Sequence, residues 1–246
     1  MAASLRELFL RASRLRRTTR ADFDRLVKAF GNAGAWLRAY HCLPVANDLG
    51  VRDMRRDECV DSLKRFCSYF EDLGDHAAFF HALASRAPAA AGAALPETLP
   101  IGVRHGDYAL HNVLVSPDCR ITGFDTQANW RVPVYEDIAY FLFSLKGMPP
   151  QDYTQGLLFP RSVVRRFEHE FLLGYFGQDP IPLDAVRFFE IRALLDRWAS
   201  FVDSERRDCG VRKVVKRARL ALRGCFLLRY LRQLVSEVDG LVSARR

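Results

Sequence analysis

The chain has 246 residues, 49% of them hydrophobic and 27% charged, which is enough apolar material for one large globular domain or two small ones. No run of about 18 or more apolar residues predicts a membrane-spanning helix. The formal net charge of +8 suits nucleic acid, an acidic membrane surface or an anionic ligand. Because the arginines alternate with acids along the predicted helices, we interpret them as solvated faces and expect no nucleic-acid or membrane partner.

The cysteines and the N-terminal residues indicate the cellular compartment. The six cysteines are scattered, with no C-x-x-C pair and no secretory segment before them, which is typical of reduced thiols in a cytoplasmic protein. The first residues are rich in arginine and serine, as in a mitochondrial targeting peptide. However, Ser4 and Glu7 match a helix capping box, and the apolar residues after them share one helical stripe. We therefore expect a packed N-terminal helix in a cytoplasmic protein.

Helical periodicity accounts for most of the chain. It predicts helices at residues 23–41, 57–72, from 75 onward, and later at 161–176, 183–203 and 210–240. Gly31 and Gly34 lie on or near one face of the helix at 23–41, which predicts a close approach to a neighbouring element. Residues 86–100 are rich in proline, alanine and glycine, and we interpret them as a surface connection.

A short stretch with the period of a strand interrupts the helices. Residues 101–104, 112–115 and 120–124 are β-type runs separated by turn residues, and the helical period returns after Pro133. The predicted fold class is mostly α with a small β insert. It has a helical region at 1–98, catalytic and metal loops at 99–132, and a helical substrate-side region at 133–246. Polar residues in such an insert are positioned by the helices around it, so we expect the chemistry there.

The insert carries a set of residues suited to phosphoryl transfer. That reaction needs a carboxylate to orient and deprotonate the attacking hydroxyl, and ligands that hold Mg²⁺ across the nucleotide phosphates. Asp107, on a loop that leaves a strand, suits the first task. Asn112 and Asp125, at the ends of the next strands, carry the oxygen ligands that Mg²⁺ prefers.

The spacing of this set is also that of a known family. His105-Gly-Asp107, four residues, Asn112, a strand and then Asp125 resemble the catalytic and metal loops of the aminoglycoside phosphotransferase and choline kinase family, a relative of the protein kinases. The resemblance implies that Asp107 is the catalytic aspartate and that Asn112 and Asp125 bind Mg²⁺. It implies that His105 braces the loop and that Asp137 is the aspartate that opens and caps the next helix.

The resemblance further implies a kinase-like fold, with ATP or GTP as phosphoryl donor and a hydroxyl of a sugar, amino alcohol or aminoglycoside as acceptor. Residues 34–41 are similar to the helix that precedes the catalytic loop in many members. The family's N-terminal nucleotide lobe, with its glycine-rich turn and strand-borne lysine, is not found, because Lys28 and the Gly31/Gly34 pair lie in a helical pattern. We therefore expect a C-terminal lobe only, which binds Mg²⁺-ATP weakly and shows no turnover above background by itself.

Several alternatives stay open at this point. The lobe is either part of an enzyme whose upstream sequence holds the nucleotide half, or a non-catalytic remnant kept as a binding module. His105, Asp107 and His111 also form a possible hydrolase-type metal set. Thr126 and Gln127 follow Asp125 where the family often has an aromatic residue or a glycine, which predicts a metal loop that sits differently. In the resembling family the acceptor pocket is formed by helices of the region that contains Glu190, Asp196 and Trp198.

Overall fold

The structure is a computed structural model that describes residues 2–12, 19–44, 50–51, 55–147, 149–157, 159–207 and 210–244. The chain divides into two compact units. One is formed by Met1–Arg52 with Pro100–Pro182, and the other by Asp53–Leu99 with Leu183–Arg246. Each unit is assembled from two separate stretches, so the units do not follow the predicted segments 1–98, 99–132 and 133–246, and that functional division stays a prediction.

The described elements are mostly helices, with strands of two to four residues, in agreement with the predicted fold class. In chain order they are β1 (Ala3–Ser4), α1 (Leu5–Arg11), α2 (Arg20–His41), β2 (Gly50–Val51), α3 (Arg56–Asp72), α4 (Ala77–Ala94), β3 (Ile101–Val103), a 3₁₀ turn (Leu110–Asn112), β4 (Val113–Val115), β5 (Ile121–Gly123), β6 (Trp130–Pro133), α5 (Tyr135–Lys146), α6 (Pro149–Tyr153), α7 (Arg161–Phe176), α8 (Leu183–Arg206) and α9 (Gly210–Ala244).

The strands form two small sheets in the first unit. One has the order β1-β4-β5 and the other β2-β6-β3, and only the β2–β6 pair is parallel. The predicted runs at 101–104, 112–115 and 120–124 become β3, β4 and β5. The sequence analysis missed β1, β2 and β6, because strands of two to four residues are too short to show an alternating pattern.

The first helix begins as predicted. Ser4 and Glu7 form a capping box, in which each side chain accepts the backbone N–H of the other residue. The box directs Leu5 and Phe9 into the core, where both are completely buried. The ring of Phe9 stacks on Phe159 at 4.0 Å between centroids. The expected packed N-terminal helix is therefore present as α1, and the end of its apolar stripe at Leu15 lies outside the described residues.

The interpretation of residues 86–100 as a surface connection was wrong for the first part of this stretch. Helix α4 continues to Ala94, although Pro88 cannot donate the helical hydrogen bond to the carbonyl of Ala84. Alanine has the highest helix propensity, and the side chains of Ala87, Ala91 and Ala94 are buried in the second unit. Burial of this small-residue face compensates for the hydrogen bond lost at Pro88.

The second unit has its own aromatic core. Phe70 of α3 stacks on Phe80 of α4 at 4.9 Å and contacts Trp198 of α8 at 4.8 Å between ring centroids. In neither unit do the described residues form a helix whose length and apolar character would let it traverse a bilayer.

Glycines at the contact of α2 and α7 allow these two helices of the first unit to pack closely. A Cβ atom on Gly34 would overlap the carbonyl oxygen of Phe171, and one on Gly174 would overlap the carbonyl oxygen of Gly31. The predicted close approach of the Gly31/Gly34 face is therefore confirmed. Because the overlapping atoms belong to the backbone, a side chain at either glycine would require one whole helix to move.

This contact gives a first prediction. Gly174→Ala is expected to destabilise the fold by about 1–3 kcal/mol or more, because an inserted methyl group forces two backbones apart. Gly92→Ala is the matched control, since nothing lies within 4 Å of a Cβ at that position of α4, and it should stabilise by about 0.5–1 kcal/mol through helix propensity. Urea denaturation of both variants measures the difference. Equal effects would contradict the assigned contact.

Candidate active site

The loop between β3 and β4 carries His105, Gly106 and Asp107. The carboxylate of Asp137 binds the backbone of this loop. The backbone N–H of His105 donates to Oδ2 of Asp137 at 2.7 Å, and that of Gly106 donates to Oδ1 at 2.9 Å. Gly106 has a φ of +84°, which a residue without Cβ adopts readily. The two hydrogen bonds fix the backbone immediately before Asp107.

This contact corrects the predicted role of Asp137. Helix α5 has Val134 as its N-cap residue and no side-chain cap hydrogen bond, so Asp137 does not cap the helix. Burial by itself raises the pKa of this carboxyl, but the hydrogen bond and charge of His41, with the N–H groups of His105 and Gly106, bring the pKa below its ordinary value. Asp137 is therefore ionised at neutral pH and anchors the loop.

The side chain of Asp107 is oriented by Asn112. The Nδ2 group of Asn112 donates to Oδ2 of Asp107 and to its backbone carbonyl, both at 2.9 Å. Asn112 is 4% exposed, whereas the side chain of Asp107 is 25% exposed. A buried amide thus holds one oxygen of a carboxylate that solvent can reach.

The third residue of the predicted set, Asp125, follows β5, and β5 pairs with the strand that begins after Asn112. In the β4–β5 ladder Val113 is opposite Gly123, and the N–H of Phe124 donates to the carbonyl of Asn112 at 3.1 Å. Asp125 is the next residue, exposed and with a φ of +61°. Asn112 and Asp125 therefore lie at the same end of one hairpin.

The donor atoms at this end fit Mg²⁺. Because Asn112 uses its Nδ2 to hold Asp107, its Oδ1 faces away from that contact as an amide oxygen. Asp125 adds a carboxylate, and both are hard oxygen ligands. Among the described residues no group of three or more His, Cys, Asp or Glu side chains is arranged to hold a metal ion. One carboxylate and one amide oxygen are a donor set of the kind that Mg²⁺ uses when phosphates supply further ligands.

The segment after Asp125 is tied to the catalytic loop. The N–H of Gln127 donates to the carbonyl of His105 at 2.8 Å, and the side chain of Gln127 occupies the space that a Cβ atom on Gly106 would need. Gln127 thus connects the segment after Asp125 to the loop of Asp107.

The ring of His105 lies among aromatic side chains. It is completely buried, with Tyr108, Tyr40 and Trp36 at 5.0, 5.4 and 5.9 Å between centroids. Neither ring nitrogen has a hydrogen-bond partner in the described part of the chain. Burial lowers the pKa of this imidazole below its ordinary value, although the charges of Asp137 and Asp107 oppose the effect. His105 is therefore a neutral packing residue, consistent with the proposed bracing role.

The same placement disfavours the alternative metal set. His105 is buried among rings, whereas the side chain of His111 is 53% exposed, with its Nε2 at 4.0 Å from Oδ2 of Asp107. A ligand needs its nitrogen directed at the metal, and the rings of these two histidines lie in different environments. His105 is a core residue and His111 is a surface residue, which disfavours a metal bound by both rings.

The residues predicted for an acceptor pocket lie on α8 in the second unit. Glu190 is completely buried, where Arg187 donates to it at 2.7 Å and the hydroxyl of Tyr230 donates to its other oxygen. Trp198 is 8% exposed and packs in the aromatic core. Asp196 is exposed. Of the three, Asp196 has the side chain that an acceptor from solvent can contact, and all three stay proposals.

The sequence analysis missed several residues that position this site. Trp36 stacks on Tyr108 at 5.5 Å and occupies the space beside Gly123 that a Cβ would need. The hydroxyl of Tyr108 donates to the carbonyl of Ala33 at 2.8 Å. Both residues lie within segments that resemble the family, Trp36 in residues 34–41 and Tyr108 between His105 and Asn112. Their spacing indicated only a helix face and a loop position. Contacts across about 75 residues of sequence leave no local pattern.

Comparison with known proteins confirms the resemblance that the motifs implied. Residues 8–124 match the phosphotransferase enzyme family. A choline/ethanolamine kinase family protein from Mesorhizobium loti is similar in structure, with a TM-score of 0.57 and 16% identity over 98% of this chain. A glucosamine kinase is similar with a TM-score of 0.60 and 14% identity over 94% of this chain. No curated protein matches the sequence.

These likenesses show the fold. The predicted kinase-like fold class is confirmed, and the chain spans 68% of the length of the first structure and 60% of the second. The motif residues His105, Asp107 and Asn112 lie inside the matched range 8–124, and Asp125 directly follows it.

Proposed function

We propose that this chain forms the acceptor-activating and metal-binding part of a phosphotransferase that transfers the γ-phosphoryl group of ATP or GTP to a hydroxyl of a small molecule. The observation that carries the proposal is the pair of Asp107 and Asn112. A carboxylate that is 25% exposed is oriented by a buried amide on a loop whose backbone is held by Asp137. The family match over residues 8–124 supports the same reaction class.

In this proposal Asp107 is the base. Its Oδ2 is held by Asn112, so the hydroxyl of an acceptor would approach Oδ1, align there and lose its proton as the phosphoryl group is transferred. A positioned general base contributes about 10²–10⁴ in rate. The hydrogen bonds to Asp137 fix the position of the loop that carries Asp107. A fixed position is needed because small displacements of a reacting group reduce the rate strongly.

The metal ligands would be Oδ1 of Asn112 and the carboxylate of Asp125. Bound Mg²⁺ would neutralise the charge that develops on the phosphate oxygens. Asn112 would then have two tasks, since its Nδ2 orients Asp107 while its Oδ1 would be available to hold the metal. This double use explains why an amide, which has both a donor and an acceptor, suits the position better than a carboxylate.

The metal role is tested by binding. Asp125→Ala is expected to weaken the binding of Mg²⁺-ATP by about tenfold or more, because a hydrogen-bonded or coordinated charge contributes about 1.5–3 kcal/mol, while the affinity for metal-free ATP stays the same. Titration calorimetry with and without Mg²⁺ measures both. The matched control is Asp118→Ala, which removes an exposed carboxylate that pairs with Arg120 at the opposite end of the same hairpin. Equal losses with and without Mg²⁺ in Asp125→Ala would refute the role.

A further inference from the structure

A buried chain of hydrogen bonds connects three helices of the first unit beneath the catalytic loop. The hydroxyl of Tyr175 on α7 lies 2.7 Å from Nδ1 of His41 on α2, and Nε2 of His41 lies 3.2 Å from Oδ2 of Asp137 on α5. The three residues are 6%, 5% and 2% exposed. The chain ends at the N–H groups of His105 and Gly106, two residues and one residue before Asp107.

The chemistry of the partners determines where the protons lie. The ionised carboxylate of Asp137 can only accept, so Nε2 of His41 must carry a hydrogen. Burial raises the pKa of Tyr175, so its hydroxyl keeps its proton and donates to Nδ1 whenever the ring is neutral. When the ring is charged, Nδ1–H donates to the Tyr175 oxygen instead. Tyr175 therefore holds the one neutral tautomer of His41 that can serve Asp137.

His41 also lies under the strand that leads into the loop. A Cβ atom added at Gly102 in β3 would be 2.7 Å from Cβ of His41 and 3.0 Å from its carbonyl oxygen, so the strand rests directly on this residue. His41 thus contacts the approach to the catalytic loop as well as its anchor.

We propose that His41 and Tyr175 are positioning residues of the active site, which hold the carboxylate of Asp137 in the orientation that receives both loop N–H groups. Neither residue touches the reacting atoms. Loss of the Tyr175 hydroxyl leaves Nδ1 of His41 buried without a donor and allows the other tautomer, which has no hydrogen for Asp137. The effect on turnover rests on the proposed function, whereas the effect on the loop does not.

The test is hydrogen exchange of the backbone amides of His105 and Gly106 in the 246-residue chain, measured by NMR. In Tyr175→Phe and His41→Leu these two amides are expected to exchange about tenfold faster or more, because the hydrogen bonds that protect them lose a charged acceptor of fixed orientation. His41→Gln should restore part of the protection, since the Nε2 of glutamine can still donate to Asp137. Tyr69→Phe is the matched control, because it removes a hydroxyl that donates to Asp203 at 2.6 Å in the other unit.

A second measurement needs no variant. The ring nitrogen shifts of His41 in the unaltered chain should show a protonated Nε2 at every pH at which the chain is folded. An Nδ1–H tautomer, or loop amides that exchange equally fast in Tyr175→Phe and Tyr69→Phe, would overturn the proposal. In the complete enzyme Tyr175→Phe should lower kcat about tenfold with the KM for nucleotide unchanged. Absence of turnover in the unaltered enzyme would refute the proposed function and leave the loop measurement decisive for this inference.

Discussion

If the proposed function holds, Asp107→Asn is expected to lower phosphoryl-transfer turnover by about 10²–10⁴-fold, the contribution of a positioned general base. Asparagine has nearly the same volume, and its amide oxygen can still accept from Nδ2 of Asn112, as Oδ2 of Asp107 does at 2.9 Å. The fold and the affinity for nucleotide should therefore stay unchanged. What is lost is the negative charge that orients the acceptor hydroxyl and accepts its proton.

Steady-state kinetics with a panel of hydroxyl acceptors measures this effect, together with thermal unfolding to show that the variant is folded. Asp118→Asn is the control, because it removes an equal charge from the turn between β4 and β5. The assignment of Asp107 fails if turnover in Asp107→Asn remains within a few-fold of the unaltered enzyme. A parallel loss in Asp118→Asn would show that overall charge, and not the base, is responsible.

Asp137→Ala is expected to lower the free energy of unfolding by about 3 kcal/mol or more, because each buried donor that loses its acceptor costs about 1–3 kcal/mol. The change leaves the N–H groups of His105 and Gly106 without their acceptor and His41 without its carboxylate. Asp179→Ala is the matched control in the same unit. It removes an ion pair with Arg38 whose side chains are 65% and 47% exposed, so it should cost at most about 1 kcal/mol.

The same carboxyl predicts a dependence on pH. Since the pKa of Asp137 is lower in the folded chain than its ordinary value of 3.8, the unfolded chain binds the proton first, and stability falls as the pH drops. The contribution of Asp137 is complete above the unfolded pKa and is lost as the pH falls through the lower, folded value. Urea denaturation at several pH values should show this acid loss in the unaltered chain and a smaller loss in Asp137→Asn. Identical pH profiles would contradict the assigned pKa direction.

The helices could be predicted because their signal is local. The apolar residues of α2, α3, α7 and α8 recur every three or four positions, and the predicted ranges agree with the observed ones to within a few residues. The capping box of Ser4 and Glu7 is equally local, since both partners lie within one helical turn. The motif from His105 to Asp125 was visible because its residues follow each other in one hairpin.

Predictions failed where the structure depends on contacts between distant residues. Pro88 looked like a helix terminator, but the buried alanines around it pack in the second unit and keep α4 helical to Ala94. Asp137 was expected to cap a helix because the family resemblance implied that role. Its carboxylate instead accepts hydrogen bonds from residues 31 and 32 positions earlier in the chain.

The sequence by itself determined the fold class, most helix ranges and the set of Asp107, Asn112 and Asp125, since each of these depends on spacing within a short segment. Only the tertiary structure decided what holds that set in place. The contact of Tyr175 with His41 spans 134 residues and that of His41 with Asp137 spans 96. Such contacts depend on how α2, α5 and α7 pack, which is a property of complementary side-chain volumes across the core and leaves no periodic trace along the chain.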